Sequence, residues 1–212
     1  MTYFHDALRA RQLSYGFGSH SVLHGVDVDL PWGTVTAIAG PNGAGKSTLL
    51  EILAGVRHSQ AGSIERADHV ALVVQRVSVP DALPLTVREV VAMGTWGSAL
   101  RRFARADAVE RKRRITEALD RVQLAQLAAS PFTSLSGGQR QRVLLAQGIA
   151  SQARIFLLDE PAAGLDAESQ DRTRAILAQE AAGGAAVACV SHDQKSIAAA
   201  DHIITLQDGR RI

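Results

Sequence analysis

Apolar residues along the chain fall into short runs that predict β-strands, separated by stretches with helical spacing. Residues 26–30 (VDVDL) alternate as a half-buried strand does, whereas residues 34–40 (TVTAIAG) form a β-branched run typical of a strand buried on both faces. Further apolar runs predict strands at 69–75, 154–160, 185–190 and 202–206. Strands that alternate with helices indicate a largely parallel α/β sheet.

A helix is predicted directly after the second of these strands. From Gly45 onward, Leu49, Leu50 and Leu53 recur at helical spacing, and Gly55 marks a stop. A glycine-rich loop therefore joins a buried strand to a helix.

Residues 80–150 predict a mostly helical region inserted between the strand-rich segments. Thr86 and Glu89 have the spacing of a capping box at the start of one helix. A second helix is predicted from about Asp107 to Val122, with an apolar side formed by Val109, Ile115, Leu119 and Val122. We therefore expect a single domain with a core at 1–79 and 153–212 and a helical subdomain at about 80–152.

Composition favours a globular protein. The 212 residues suffice for one domain with a sizeable core, and 46% of them are hydrophobic. The single cysteine, Cys189, excludes an internal disulfide and fits a reducing compartment. No run approaches the about 18–20 apolar residues of a spanning helix, and the N-terminus lacks a signal-peptide core. Any membrane role is therefore expected to run through a partner.

Charge gives little support for nucleic acid as a partner. The formal net charge is only +2, although basic residues cluster between positions 101 and 114. Acidic residues interrupt this cluster, and Phe103 alone offers a stacking aromatic. A solvated helical face is favoured over a surface for nucleic acid or anionic lipid, and no nucleic-acid partner is expected.

The most specific motif is GPNGAGKST at 40–48, hereafter the phosphate loop, which matches G-x-x-x-x-G-K-[ST] in the required strand–loop–helix context. Gly43 and Gly45 allow backbone N–H groups to curl around phosphates, and Lys46 reaches the β- and γ-phosphate oxygens. The Ser47 hydroxyl suits a place on Mg²⁺. The alternative, a chance glycine-rich turn, is disfavoured by the flanking elements. The predicted nucleotide-binding residues are Gly40, Pro41, Asn42, Gly43, Ala44, Gly45, Lys46, Ser47 and Thr48.

A pair of carboxylates supplies the second half of the chemistry. The apolar strand in IFLLDEP delivers Asp159 and Glu160 to its C-terminal end, where ligands bind in open α/β sheets. Asp159 suits Mg²⁺, directly or through water, and Glu160 is placed to polarise an attacking water. A solvated acidic pair is the alternative, which the phosphate loop in the same chain disfavours. Together the two motifs predict hydrolysis of a nucleoside triphosphate.

The sequence LSGGQ at 135–139, hereafter the signature loop, identifies a family. Together with the phosphate loop and the acidic pair it resembles the ATP-binding cassette (ABC) ATPases, and the resemblance covers essentially the whole chain. It implies a P-loop NTPase core with a mostly parallel sheet, an N-terminal antiparallel β part and an inserted helical subdomain. It also implies ATP as the substrate and Mg²⁺ as the cofactor.

The resemblance implies that the signature loop acts on a second copy of the chain. In a head-to-tail homodimer, Ser136 and the N–H groups of Gly137 and Gly138 would donate to the γ-phosphate of ATP held by the partner subunit. Gln139 would support the loop or reach the ribose, and Asp166 would help to organise the interface. Simple helix capping is the alternative for Ser136, and it is compatible with the interface role for Asp166.

Three further residues match family positions. His192 would hydrogen-bond the γ-phosphate and hold the attacking water together with Glu160. Gln75 would approach Mg²⁺ and the water, and would link the nucleotide to the helical subdomain. Tyr15 would stack on adenine, although simple core packing is its alternative.

The sequence around and after Gln75 is similar to that of bacterial importers of zinc or manganese. The stretch 73–94 contains P-LTV-EVV-MG, and zinc is expected before manganese. Iron-chelate importers share this wording, and an ABC exporter is a further alternative. The implied partners are an integral membrane permease, contacting 75–93, and an extracytoplasmic metal-binding protein. The chain would then lie peripherally on the cytoplasmic face of the bacterial cell membrane, although Val90 and Met93 could equally be core residues.

Overall fold

The computed structural model describes residues 6–73, 85–96 and 106–212. Contacts divide them into an α/β unit, drawn from 6–73, 154–163 and 177–212, and a helical unit, drawn from 85–96, 106–153 and 164–176. Residues 164–176 thus group with the helical residues, although the sequence pattern predicted them to be part of the core. The elements are β1 (Asp6–Phe17), β2 (His20–Pro31), β3 (Val35–Ala39), α1 (Lys46–Ala54), β4 (Ala61–Arg66), β5 (Val70–Val73), α2 (Val87–Met93), α3 (Ala106–Arg121), α4 (Gly137–Ala150), β6 (Ile155–Asp159), α5 (Ala167–Ala182), β7 (Ala186–Val190), α6 (Gln194–Ala198), β8 (His202–Gln207) and β9 (Arg210–Arg211).

The α/β unit contains a six-stranded sheet in the order β5-β6-β7-β3-β8-β9. Its strands are parallel except for the antiparallel pair β8 and β9. The apolar runs predicted as buried strands form β3, β6 and β7, whose aliphatic side chains lie in one core with those of α1. The predicted α/β class with a mostly parallel sheet is confirmed.

A second sheet consists of three antiparallel strands in the order β2-β1-β4. β1 and β2 precede the six-stranded sheet in sequence, and β4 lies between α1 and β5. The predicted strand at 26–30 is only the second half of β2. β1 and β4 were not predicted individually, although the family resemblance implied an antiparallel part. Gln12 interrupts β1 as a bulge with a φ of 52°, and its backbone N–H donates to Asp27 Oδ1 at 2.6 Å.

The helical unit is built around α4, which packs against α2 and α3. The capping box of α2 is confirmed, because Thr86 Oγ1 accepts from Glu89 N at 3.3 Å and Glu89 Oε2 accepts from Thr86 N at 2.7 Å. The backbone N–H and the hydroxyl of Thr86 both donate to Glu89 Oε2 at 2.7 Å, and they lower the pKa of Glu89. Val90 is buried and Met93 half-buried.

The predicted apolar side of α3 is wrong at one residue. Ile115 and Leu119 are buried, as is Val122 just beyond the helix, but Val109 is 79% exposed. At about 100° per residue, Val109 points roughly 120° away from Ile115 and therefore faces solvent.

Two neighbouring basic residues of α3, Arg113 and Arg114, pair with acidic residues of the same helix. Arg113 pairs with both Glu110 and Glu117, and Arg114 Nε lies 2.8 Å from Glu110 Oε1. The two arginines lower the pKa of Glu110 to about 2. This arrangement agrees with a solvated helical face; residues 101–105 of the cluster lie outside the described residues. Among the described helices, none has both the length and the apolar character needed to cross a membrane.

Candidate active site

The phosphate loop joins the end of β3 to the start of α1. Gly43 and Gly45 adopt positive φ values of 81° and 93°, and no side chain caps the first turn of α1. A Cβ at Gly43 would meet nothing within 4 Å, whereas one at Gly45 would lie 2.8 Å from Leu23 Cδ2. The loop therefore leaves open space beside Gly43 and has backbone N–H groups at a helix N-terminus, which is an arrangement suited to an anion.

Lys46 folds back over this loop. Its Nζ donates to the carbonyl oxygens of Gly40 and Pro41, at 2.9 and 2.8 Å. Burial lowers the pKa of Lys46, and the negative charges of Glu160 and Asp159 oppose that change. The Lys46 ammonium group thus lies within the loop, and phosphate oxygens can replace the two carbonyl oxygens as its hydrogen-bond acceptors.

Glu160 and His192 meet at the C-terminal edge of the parallel sheet. Glu160 follows β6, His192 follows the neighbouring β7, and His192 Nε2 lies 3.1 Å from Glu160 Oε1. Glu160 also has a φ of 47°, and its N–H donates to Val190 O at 3.2 Å. A non-glycine residue held in the left-handed region at a strand end is an outlier typical of functional sites.

The residues assigned to Mg²⁺ lie on two neighbouring segments of the α/β unit. Ser47 is exposed in the first turn of α1, and Asp159 is half-buried at the end of β6. The described residues contain no group of three or more His, Cys, Asp or Glu side chains that could hold a metal. A single hydroxyl and a single carboxylate nevertheless fit Mg²⁺, which keeps several waters and shares substrate phosphates. Gln75 lies outside the described residues.

Tyr15 reaches the phosphate loop through its neighbour on β2. It pairs with Leu23, whose Cδ2 packs against Gly45. The Tyr15 ring is half-buried against the core, so one part of it packs and another part remains open to a ligand. Its hydroxyl accepts from the Arg57 guanidinium at 2.8 Å, a contact that the sequence analysis missed because neither residue belongs to a motif that names the other.

The signature loop ends in a capping box at the start of α4. Ser136 Oγ accepts from Gln139 N at 3.3 Å, and Gln139 Oε1 accepts from Ser136 N at 3.0 Å. The capping alternative for Ser136 is therefore present in the structure. Capping uses the hydroxyl only as an acceptor, so its O–H remains able to donate to a phosphate.

Asp166 caps the next helix, α5, through Ser169, and Ser169 packs against Gly138 of the signature loop within the helical unit. Its Oδ1 accepts from Ser169 N at 2.9 Å and its Oδ2 from Ser169 Oγ at 2.8 Å, hydrogen bonds that lower the pKa of Asp166. A Cβ at Gly138 would lie 2.4 Å from Ser169 Oγ, whereas one at Gly137 would have only an ordinary contact of 3.5 Å with Leu165. Glycine is therefore required at 138 by close packing.

We expect Gly138→Ala to destabilise the chain by about 1–3 kcal/mol, because the new methyl group overlaps the short Ser169 side chain. Urea unfolding measures the change in free energy. Gly137→Ala is the matched control in the same helical turn, and its stability should be unchanged or raised by up to about 1 kcal/mol.

Measured against Ser169→Gly alone, which accounts for the lost hydrogen bond to Asp166, the cost of adding Gly138→Ala should largely be recovered, since the overlapping atoms are gone. Equal effects of the two alanine substitutions, or no recovery in the double variant, would contradict the packing explanation.

The structure brings some of the predicted residues together and leaves others in a separate unit. Lys46, Asp159 and Glu160 interact electrostatically, and His192 contacts Glu160, all within the α/β unit. The signature loop and Asp166 belong to the helical unit.

Comparison with known proteins gives a consistent family. Residues 23–163 match the family model described as ABC transporter. The hemin import ATP-binding protein of Thermobifida fusca is 38% identical over 96% of this chain and 74% of its own length. The zinc import ATP-binding protein of Halorhodospira halophila is 36% identical over 96% of this chain and 75% of its own.

Solved structures agree in fold. An inward-facing metal-chelate type ABC transporter superposes with a TM-score of 0.85 at 32% identity, covering 98% of this chain and 82% of that one. A bacterial ABC transporter cassette solved as a dimer gives 0.78 at 25% identity, covering 96% of both chains. The chain therefore belongs to the ABC transporter family, as an ATP-binding subunit and an ATPase.

Proposed function

We propose that the chain is the motor subunit of a metal importer and that it hydrolyses ATP at the phosphate loop. The observation that carries the proposal is the 3.1 Å contact between Glu160 and His192, in the same unit as Lys46 and Asp159. This set contains a cation for phosphates and a carboxylate–imidazole pair for a water molecule. All 212 residues would form a single ABC ATPase domain.

Binding begins in the loop 40–48. The N–H groups at the start of α1 and the Lys46 ammonium hold the phosphate oxygens, and Thr48 and the loop backbone complete the enclosure. An anionic partner offsets the burial that lowers the pKa of Lys46, so the bound state keeps this ammonium charged. Tyr15 supports the adenine ring.

Hydrolysis then depends on Glu160 and His192. Glu160 accepts a hydrogen bond from the attacking water and draws its proton away as the oxygen approaches the γ-phosphate. His192 holds Glu160 in place and hydrogen-bonds the γ-phosphate. Ser47, Asp159 and Gln75 would hold Mg²⁺, and the ion would supply charge neutralisation on the phosphates.

The proposed active form is a head-to-tail homodimer in which each signature loop completes the partner's site. The O–H of Ser136 and the N–H groups of Gly137 and Gly138 donate to the partner's γ-phosphate, and Asp166 lies at the interface. A cassette of the family solved as a dimer supports this arrangement.

The proposed partners beyond the dimer are an integral membrane permease and, indirectly, an extracytoplasmic metal-binding protein. The motor would lie on the cytoplasmic face of the bacterial cell membrane. Zinc is the first proposed cargo and manganese the second, in keeping with the zinc import relative at 36% identity. A metal chelate is the second candidate, favoured by the hemin import relative at 38% identity and the metal-chelate type transporter structure.

Capture of the membrane partner tests the proposal. A tagged Glu160→Gln chain, purified with ATP and Mg²⁺ from membranes of the source cells, should retain its permease. The double variant Lys46→Ala with Glu160→Gln controls for nucleotide-independent recovery. Recovery of ribosomes or polynucleotide in place of a permease would contradict the transport proposal.

Uptake into vesicles carrying the complex then separates the cargoes. Zinc, manganese and hemin are offered in parallel with ATP inside the vesicles, and one of them should accumulate. Hemin uptake without zinc or manganese uptake would overturn the first cargo assignment but leave the motor function in place.

A further inference from the structure

Arg57 connects three groups at one end of the antiparallel sheet. Its Nε donates to Glu51 Oε2 at 2.7 Å, and its Nη1 donates to the Tyr15 hydroxyl at 2.8 Å. The guanidinium carbon also lies 5.2 Å from the centre of the Tyr15 ring and 4.9 Å from that of Phe17. These distances are within the range of cation–π attraction.

The two aromatic rings also contact each other. Tyr15 and Phe17 meet edge to face, with centres 5.1 Å apart and an interplanar angle of 87°. Phe17 is 50% exposed and Tyr15 half-buried, so the pair presents aromatic surface to solvent. We call Tyr15, Phe17 and Arg57 the aromatic–arginine cluster.

The segment that carries Arg57 is itself fixed. Its backbone N–H donates to Glu51 O at 3.2 Å, at the C-terminal end of α1. Gln60, three residues further on, bonds to β1 through its backbone N–H to Ser14 O at 2.9 Å and through its side chain to Gly16 O at 3.2 Å. The guanidinium therefore projects from an anchored segment, and Glu51 holds one side of its fork while the other side holds Tyr15.

The cluster is connected to the phosphate loop by direct packing. Tyr15 pairs with Leu23, and Leu23 Cδ2 and Val22 O pack against Gly45. The helix that follows this loop, α1, ends next to the Glu51–Arg57 ion pair. The cluster is thus linked both to the phosphate loop, which precedes α1, and to Glu51, in the last turn of α1.

We propose that Arg57 is a positioning residue for the nucleotide base: it fixes the Tyr15 ring, and with it the aromatic surface, before ATP binds. This inference rests on the proposed contact between Tyr15 and adenine. A ring already held by a charge-assisted hydrogen bond loses little conformational freedom on stacking, so the base binds more tightly. The effect should be confined to the base, because Arg57 makes no contact with the phosphate loop among the hydrogen bonds and ion pairs of the described residues.

Arg57→Met tests the inference, since methionine keeps a long apolar stem and removes the charge and the donors. ATP affinity, measured by calorimetry with Mg²⁺, should fall by about two- to tenfold, in line with the loss of one hydrogen bond. The affinity for inorganic tripolyphosphate, which has no base, should stay the same. In steady state the change should appear in KM, with kcat preserved.

Arg66→Met is the matched control at the same end of α1. Arg66 donates to Leu53 O and Ile52 O, at 2.7 and 2.9 Å. Its loss should lower the melting temperature without changing the ratio of ATP affinity to tripolyphosphate affinity. Equal losses for both ligands in Arg57→Met would show a merely structural role and overturn the inference.

Tyr15→Phe separates the hydroxyl from the ring. If Arg57 acts through the hydroxyl, the effects of Tyr15→Phe and Arg57→Met on ATP affinity will not add in the double variant. Additive effects would overturn the inference.

Two more variants distinguish its failure from failure of the proposed site. Unchanged ATP affinity in Tyr15→Ala would show that Tyr15 does not contact the base. Unchanged ATP affinity in Lys46→Ala would show that the loop 40–48 is not the phosphate site. If both variants weaken ATP binding while Arg57→Met does not, only the inference about Arg57 fails.

Discussion

ATP turnover should fall by at least about 10²-fold in Glu160→Gln, because the variant loses the carboxylate proposed to draw a proton from the attacking water. The amide keeps the shape of the side chain and an oxygen that can accept from His192 Nε2, now 3.1 Å from the carboxylate. Both residues are non-glycine, so the cost of the positive φ at this position is the same in both chains. ATP affinity should therefore change by less than about threefold, a difference below 1 kcal/mol.

Phosphate release under saturating ATP measures the turnover, and calorimetry measures the affinity. Glu168→Gln is the matched control, since Glu168 pairs with Arg172 on the exposed side of α5. The control should turn over ATP at the normal rate. Unchanged turnover in Glu160→Gln would remove Glu160 from its proposed role.

The second large effect concerns the dimer. Chains with Lys46→Ala lack the ammonium for phosphate, and chains with Ser136→Arg lack the signature hydroxyl and carry an obstructing side chain. Each variant alone should lose on the order of 10²-fold in turnover, as expected when a donor to the transition-state charge is removed. In the proposed head-to-tail dimer, a mixed pair has one intact site, built from the phosphate loop of one chain and the signature loop of the other.

Mixing the two inactive variants should therefore restore turnover, with one nucleotide site per mixed dimer. Because Ser136 also caps α4, Ser136→Asp serves as a second variant: aspartate preserves the cap but has no hydroxyl donor and repels phosphate. Loss of both sites in every mixed dimer, for both substitutions at Ser136, would show that the signature loop acts within its own chain.

Local signals in the sequence predicted much of the fold. The capping box from Thr86 to Glu89, the helix stop at Gly55 and the loop 40–48 each depend on a few adjacent residues, and each is present as a local structure. The buried strands β3, β6 and β7 were predictable because a strand covered on both faces is apolar at nearly every position.

The antiparallel sheet was less predictable for two physical reasons. β1 contains a bulge at Gln12, which breaks the alternation that a strand pattern requires. β4 has no buried residue, so burial leaves no periodic trace in its sequence. β4 is instead held by pairing with β1, from which β2, β3 and α1 separate it in sequence, and no local pattern reveals such a partner.

The site shows the same limit. Motif spacing predicted Lys46 and Glu160, because their chemistry requires fixed positions after a strand, and the family resemblance predicted His192. Arg57 follows no such spacing, and its contact with Tyr15 spans 42 residues of sequence. Only the fold reveals it.

Selection for stability alone would not keep a glutamate at position 160. Its left-handed backbone costs on the order of 1–3 kcal/mol for a non-glycine residue, and Glu160→Gly would relieve this strain. A screen that ranks variants by melting temperature without scoring turnover would thus enrich for chains that lack the proposed catalytic carboxylate. A more stable variant of this chain should therefore retain Glu160 and carry its stabilising substitutions at other positions.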